Sequence, residues 1–152
     1  MSEVSSVDVK KLRERTGASI MECKIALEKA AGDIEKAQVF LKEQGFAKAG
    51  KKSERATSAG LVEAYIHGDG RAGSLIELRC ETDFVARNPV FKELAHDLAM
   101  QVVVVNPMNL EELLASPFIK NESETIEQYI SSKIALLGEN IKIGQFVRFQ
   151  IS

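Results

Sequence analysis

The chain has 152 residues, 45% of them apolar and 28% charged, which is ordinary globular composition for one domain or two small ones. No apolar run approaches the ~20 residues that a membrane-spanning helix needs, and the first residues, Met1-Ser2-Glu3-Val4-Ser5-Ser6, lack the basic and apolar regions of a signal peptide. The net charge of −2 is uneven, with 12 Lys/Arg against 9 Asp/Glu in residues 1–55 and 8 against 13 in residues 56–152.

A basic first third could touch nucleic acid or an acidic protein face. Its charges alternate in sign along predicted helices, which marks a solvated surface, and no aromatics interleave with Lys48, Lys51, Lys52 and Arg55 as single-strand binding would require. Cys23 and Cys80 have no CxxC or Cys/His spacing, so they read as free thiols of a reducing compartment, and a cytoplasmic location is expected. Neither a cofactor nor a metal is implied.

The spacing predicts three short helices over residues 5–44. Ser5 or Ser6 caps the first, and Thr16-Gly17-Ala18 breaks it, with Gly17 placed for a left-handed turn. Ser19 and Glu22 form a capping box for the second, whose Ile20, Cys23, Leu27 and Ala30 share a face. Asp33 caps the third; Ile34, Ala37 and Leu41 line it and Gly45 ends it. Residues 46–58, rich in Lys, Ala, Gly and Ser, read as a linker with some helix at its start.

From Leu61 the apolar period becomes two. Val62, Ala64 and Ile66 alternate, then a turn at Gly68-Asp69-Gly70, then Ile76, Leu78 and Cys80, which predicts a hairpin with one apolar face. Asn88 caps a helix with Pro89 in its first position, carrying Phe91, Leu94, Leu98, Val102 and Val105 to a stop at Asn106-Pro107. His96 falls on the polar side of that helix. A helical turn is expected at residues 110–114 and a helix over residues 124–137. A last strand is expected to put Ile141, Ile143, Val147, Phe149 and Ile151 on one face. The expected fold is α+β: a three-helix module at 1–45, the linker at 46–58, and at 59–152 a three-stranded antiparallel sheet with helices on one face.

The most informative stretch is Cys80-Glu81-Thr82-Asp83-Phe84-Val85-Ala86-Arg87-Asn88, a loop between a predicted strand and a predicted helix. An acid beside a bulky aromatic in a loop suits a pair that reaches into a partner. Taken alone, Asp83 reads as a helix cap and Phe84 as core. The nonamer, however, closely resembles the signature of the elongation factor Ts family. Leu12-Arg13-Glu14-Arg15-Thr16-Gly17-Ala18 with Met21-Glu22-Cys23-Lys24-Ile25-Ala26-Leu27 is similar to the family's N-terminal module of the ubiquitin-associated type. Tyr65-Ile66-His67-Gly68-Asp69-Gly70-Arg71 and Leu137-Gly138-Glu139-Asn140-Ile141-Lys142-Ile143 also match, and in the family's order. The long insertion that many members carry after Asn-Pro is missing, and Gly144-Gln145 stands where two arginines are common.

The resemblance implies a guanine-nucleotide exchange factor for elongation factor Tu, without chemistry of its own. By similarity, Thr82, Asp83, Phe84 and Val85 dislodge the partner's Mg²⁺, with Phe84 a wedge and Asp83 a disturbance of the metal's polar network. Arg13, Thr16, Gly17 and Ala18 hold another part of the same GTPase domain, and the sheet and last helix anchor a second domain. Two other readings stay open: a Tu-binding protein with weak exchange, and a small RNA-binding protein. Self-association is open too, since an exposed third strand could pair across a two-fold axis. An enzyme is disfavoured by the lack of a P-loop, GxGxxG, GxSxG or metal-ligand spacing, and nothing in the spacing makes a nucleophile of Cys80 with His67 and Asp83.

Overall fold

The computed structural model describes residues 3–152 and divides into two compact units, Met1–Lys48 and Ala49–Ser152. The fold is α+β, with helices first and an antiparallel sheet with packed helices after them.

In the first unit, α1 (Ser6–Thr16) starts on the Ser5 side chain and ends at Gly17, whose φ of 72° is the left-handed conformation that glycine adopts without strain. Helix α2 (Ile20–Lys29) carries a complete capping box: the Ser19 hydroxyl accepts from the Glu22 N–H, and the Glu22 carboxylate accepts from the Ser19 N–H at 2.9 Å. Glu22 also pairs with Lys48. Helix α3 (Ile34–Lys52) begins where Asp33 accepts the Lys36 N–H at 3.1 Å. Leu12, Cys23, Ala26, Leu27 and Ala37 form the core, with Ile34, Phe40 and Leu41 packed on it. Two expectations are corrected. Ile20 is exposed and Ala26 takes its place on the buried face. Gly45 does not end α3, which continues to Lys52. A single helix-interior glycine costs only about 1 kcal/mol, and the alanines and lysines after it are strong helix formers.

In the second unit, β1 (Ala59–His67), β2 (Ala72–Cys80) and β5 (Ile141–Gln150) make one antiparallel sheet in the order β1-β2-β5. Helix α4 (Asp83–Ala86) is a single turn, and α5 (Pro89–Val105) packs across the sheet's inner face. After α6 (Leu110–Ala115), a small hairpin of β3 (Pro117–Phe118) and β4 (Asn121–Thr125) leads into α7 (Ile126–Leu137). The core joins Ile76, Leu78 and Cys80 of the sheet to Phe91, Leu94, Leu98 and Val102 of α5 and to Ile126, Ile130 and Ile134 of α7.

Two strands face differently from the expected pattern. In β1, Leu61 pairs with Leu78 and Val62 with Glu77, so Leu61 and Tyr65 turn inward while Val62 and Ile66 lie on the outer face. In β5, the pairs Leu78–Ile143 and Ile76–Phe146 leave one more residue on β5 than on β2. That bulge reverses the alternation. Ile141, Ile143 and Phe146 pack inward, whereas Val147 and Phe149 are exposed. A glycine is required at Gly60, where φ is 146° and a Cβ would meet the Leu78 carbonyl oxygen at 2.1 Å.

Buried polar groups tie α5 to the hairpin. Gln101 donates to the Pro117 carbonyl at 2.8 Å and to Ser116 Oγ at 3.1 Å, and accepts the Ile119 N–H at 3.0 Å. Asp97, 2% exposed, accepts from the Tyr129 hydroxyl at 2.7 Å and faces the Lys120 ammonium at 2.6 Å. The Tyr129 ring stacks on Phe118.

Glu22 yields a pH-dependent prediction. The Lys48 ammonium, and then the Ser19 N–H, hold its carboxyl below the ordinary carboxylate range, against partial burial. A depressed folded value stabilises the charged form, so the contribution is complete above the unfolded value of about 4.3 and is lost as pH falls through the folded one. Glu22→Gln should therefore speed hydrogen exchange of α2 amides at neutral pH, and the gap from wild type should close on acidification. A gap that survives full protonation would point to packing rather than charge.

Candidate functional site

The strand-to-helix loop of the second unit turns on Thr82. With extended backbone, φ −129° and ψ 153°, it caps α4, its Oγ1 accepting from the Val85 N–H at 3.3 Å. The turn continues with the Ala86 N–H to the Thr82 carbonyl and the Arg87 N–H to the Asp83 carbonyl, both 3.2 Å. Asn88 then caps α5 through the Val90 N–H at 2.8 Å, with Pro89 at its start. Val85 and Ala86 are buried against the sheet. Asp83 and Phe84 point away, and Phe84 is 84% exposed. Phe84, Arg87, Asn88 and Pro89 line a shallow groove of about 400 Å³.

The loop is held from outside by the turn after α7. Glu139 Oε1 accepts from the backbone N–H of Glu81 at 3.1 Å and of Thr82 at 3.0 Å, and Oε2 accepts from the Thr82 hydroxyl at 2.7 Å. In return Glu81 accepts the Asn140 N–H at 3.0 Å and faces Arg55 at 3.5 Å. Asn140 is buried, and its amide donates to the carbonyls of Arg55 at 2.8 Å and Ser53 at 3.3 Å. These contacts escaped sequence reasoning. Glu139 and Asn140 stood in a recognisable block, but nothing in their spacing told which distant backbone they would meet.

Of the residues singled out in the sequence, Thr82, Asp83, Phe84 and Val85 share this one turn. Arg13, Thr16, Gly17 and Ala18 lie together in the first unit. There the Thr16 hydroxyl donates to the Leu12 carbonyl at 2.8 Å and accepts the Ala18 N–H at 3.3 Å, and the Gly17 N–H donates to the Arg13 carbonyl at 2.8 Å. The Arg13 side chain is exposed beside them. Burial pushes the thiols of Cys23 and Cys80 up, away from the thiolate form, and for Cys80 the negative charge of Glu139 adds to it. His96 sits on the surface of α5 with Tyr65 edge-on at 5.7 Å. Among the described residues, no group of three or more His, Cys, Asp and Glu could hold a metal ion, and no helix is long and apolar enough to cross a membrane.

The turn lies within the part of the chain that matches known proteins. The family model described as elongation factor TS matches residues 81–152, starting at Glu81. Elongation factor Ts of Coprothermobacter proteolyticus is 41% identical over 194 residues, covering 98% of this chain and 98% of that protein. That of Carboxydothermus hydrogenoformans is 41% identical over 193 residues, covering 97% and 89%. The Nostoc protein of the same description is 45% identical over 152 residues, covering all of this chain and 48% of its own length. The first two alignments are longer than this chain, so those relatives hold residues without a counterpart here.

Thr82 both caps α4 and reaches Glu139, so Thr82→Ala should lower the unfolding free energy of the second unit by about 1 kcal/mol, within the range of lost N-caps. Thr82→Ser should restore most of it. Chemical denaturation measures both, and an alanine variant as stable as wild type would remove Thr82 as the organiser of the turn.

Proposed function

The chain belongs to the elongation factor Ts family, a family of translation elongation factors, and from that membership we propose that it binds elongation factor Tu in its GDP form and promotes release of GDP and Mg²⁺ in the cytoplasm. The observation that carries the reading is Phe84, an aromatic left 84% exposed beside the exposed carboxylate of Asp83, on a turn that buries Val85 and Ala86. Single exposed apolar residues are ordinary on a surface, and Met108 is exposed as well. What singles Phe84 out is its place within residues 80–88, the stretch that resembles the family signature, where a partner surface could receive it as an aromatic anchor.

No chemistry is needed from the factor. A nucleotide held by backbone N–H groups, a lysine and a metal leaves faster if the factor binds the open, metal-free form better than the nucleotide-bound form. The weakening is reciprocal by linkage. Phe84 acts as the wedge and Asp83 disturbs the metal's polar network, with Thr82 and Val85 fixing the loop. The module of residues 1–45 holds another part of the GTPase domain through Arg13, Thr16, Gly17 and Ala18. In the unit of residues 59–152, the sheet and last helix anchor a second domain of the partner.

Magnitudes limit the wedge. An acceleration of ~10⁴ needs about 5.5 kcal/mol, whereas burying one Phe supplies roughly 1.5–3 kcal/mol. Lost metal coordination and an interface of at least ~1,000 Å² must supply the remainder. The alternative of binding with weak exchange keeps the same contacts and differs only in release kinetics. The RNA-binding alternative is less well supported, because Arg15 pairs with Glu35, Lys48 with Glu22 and Arg55 with Glu81 in the basic first third.

Release of a fluorescent GDP analogue, chased by excess GDP, tests the reading. Phe84→Ala should reduce the rate at saturating factor by about 10- to 100-fold, the equivalent of losing one buried Phe, while much of the affinity for the partner remains. Equal loss of rate and affinity would make Phe84 a binding anchor only.

The outer sheet face favours a second association. Val62, Ile66, Leu75, Val147 and Phe149 lie exposed on adjacent strands, opposite the face covered by α5. We propose that, while the partner GTPase is absent, two copies cover this face mutually. Sedimentation should show a concentration-dependent dimer that Phe149→Glu with Ile66→Glu converts to monomer; a wild-type monomer at every concentration would overturn the association.

A further inference from the structure

We propose that Glu139 is the positioning residue of the exchange turn, fixing from the end of α7 the backbone that presents Phe84. The inference rests on the exchange reading of residues 82–85. Phe84 is 84% exposed with little packing to orient it, so the protein controls where it stands chiefly through its backbone. The backbone at residues 81–82 is set by one carboxylate with three donors, the N–H groups of Glu81 and Thr82 and the Thr82 hydroxyl. Thr82 passes the constraint on, since the oxygen that donates to Glu139 also accepts the Val85 N–H.

Glu139 is itself well placed to hold. It follows Gly138, whose φ of 76° closes α7, and precedes the buried Asn140, which grips the Ser53 and Arg55 carbonyls. The return bond from Asn140 N–H to Glu81 makes the contact mutual. Hydrogen bonds to an ionised acceptor are about twice as strong as neutral ones. A turn ordered in the free protein need not be ordered while the partner opens, so the gain falls on the rate at saturation and not on ground-state binding.

Glu139→Ala should therefore lower the saturating GDP-release rate roughly tenfold, with the half-saturating concentration changed by less than about threefold. Glu139→Gln keeps one carbonyl acceptor for the Glu81 and Thr82 N–H groups but loses the charge and the acceptor of the Thr82 hydroxyl, and should recover only part of the rate. In the free protein, hydrogen exchange should show the Glu81 and Thr82 amides losing protection in the alanine variant while the α5 amides stay protected. Unchanged protection at residues 81–82 overturns the proposal whatever the kinetics, as does lost protection with a full rate. Loss of protection throughout α5 would make Glu139 a folding residue and also overturns it. A wild-type chain that binds its GTPase without accelerating release sinks the exchange reading alone; selective loss at residues 81–82 would then still support Glu139 as the residue that holds the turn.

Discussion

The turn at residues 81–88 depends on a mutual exchange of hydrogen bonds between residues 81–82 and 139–140. Strands β2 and β5 pair as far as Cys80 and Ile141, and there the backbone ladder ends. Just beyond it, side chains take over: Glu139 reaches the backbone of residues 81–82, and Glu81 reaches that of residue 140. A helix of one turn cannot sustain itself, because nucleation fixes several dihedrals for the first hydrogen bond. Helix α4 persists because its start is tied to Glu139 and its buried side, Val85 and Ala86, is tied to the core.

The other end of the turn is fixed by α5, and α5 is fixed by more than apolar packing. Leu94, Leu98 and Val102 would allow some sliding against the sheet. Gln101 and Asp97 do not. Gln101 is wholly buried, with donors and acceptor all met by residues 116–119, and Asp97 is compensated by Tyr129 and Lys120. Moving α5 by one residue would orphan these groups, a penalty of about 1–3 kcal/mol for each unsatisfied one. Polar contacts of this kind specify position where apolar ones supply bulk stability.

Much of this was legible in residues. The Ser19–Glu22 capping box, the Asn88-Pro89 start of α5 and the left-handed Gly17 each follow from local chemistry, and each stands where expected. The facing of the strands was not legible. Alternation in β1 pointed to Val62, Ala64 and Ile66, because Glu63 and His67 share the other face with Leu61 and Tyr65; the register across the turn at residues 68–71 turned Leu61 and Tyr65 inward instead. In β5 the bulge falls where Gln145 interrupts the apolar alternation, a break that does not by itself tell a bulge from a lone polar residue, and it turns Val147 and Phe149 outward. The short hairpin of β3 and β4 was invisible because Gln101, a polar residue on a distant helix, holds its first strand. The nonamer was legible as a display of Asp83 and Phe84, but its support was not, since Glu139 is remote in sequence.

That division between display and support bears on how an exchange factor can act. An aromatic that simply added affinity would bind closed and open partner alike and accelerate nothing. Acceleration requires contacts that become favourable as the partner opens, and a flexible aromatic would lose part of that gain to its own ordering. On the proposed reading, Phe84 avoids the backbone part of that loss by position. It is exposed, yet its backbone is held by the clamp on one side and by α5 on the other. On the proposed exchange reading, a rigid scaffold that leaves Phe84 exposed would hand the choice of state to a partner able to bury it only by opening.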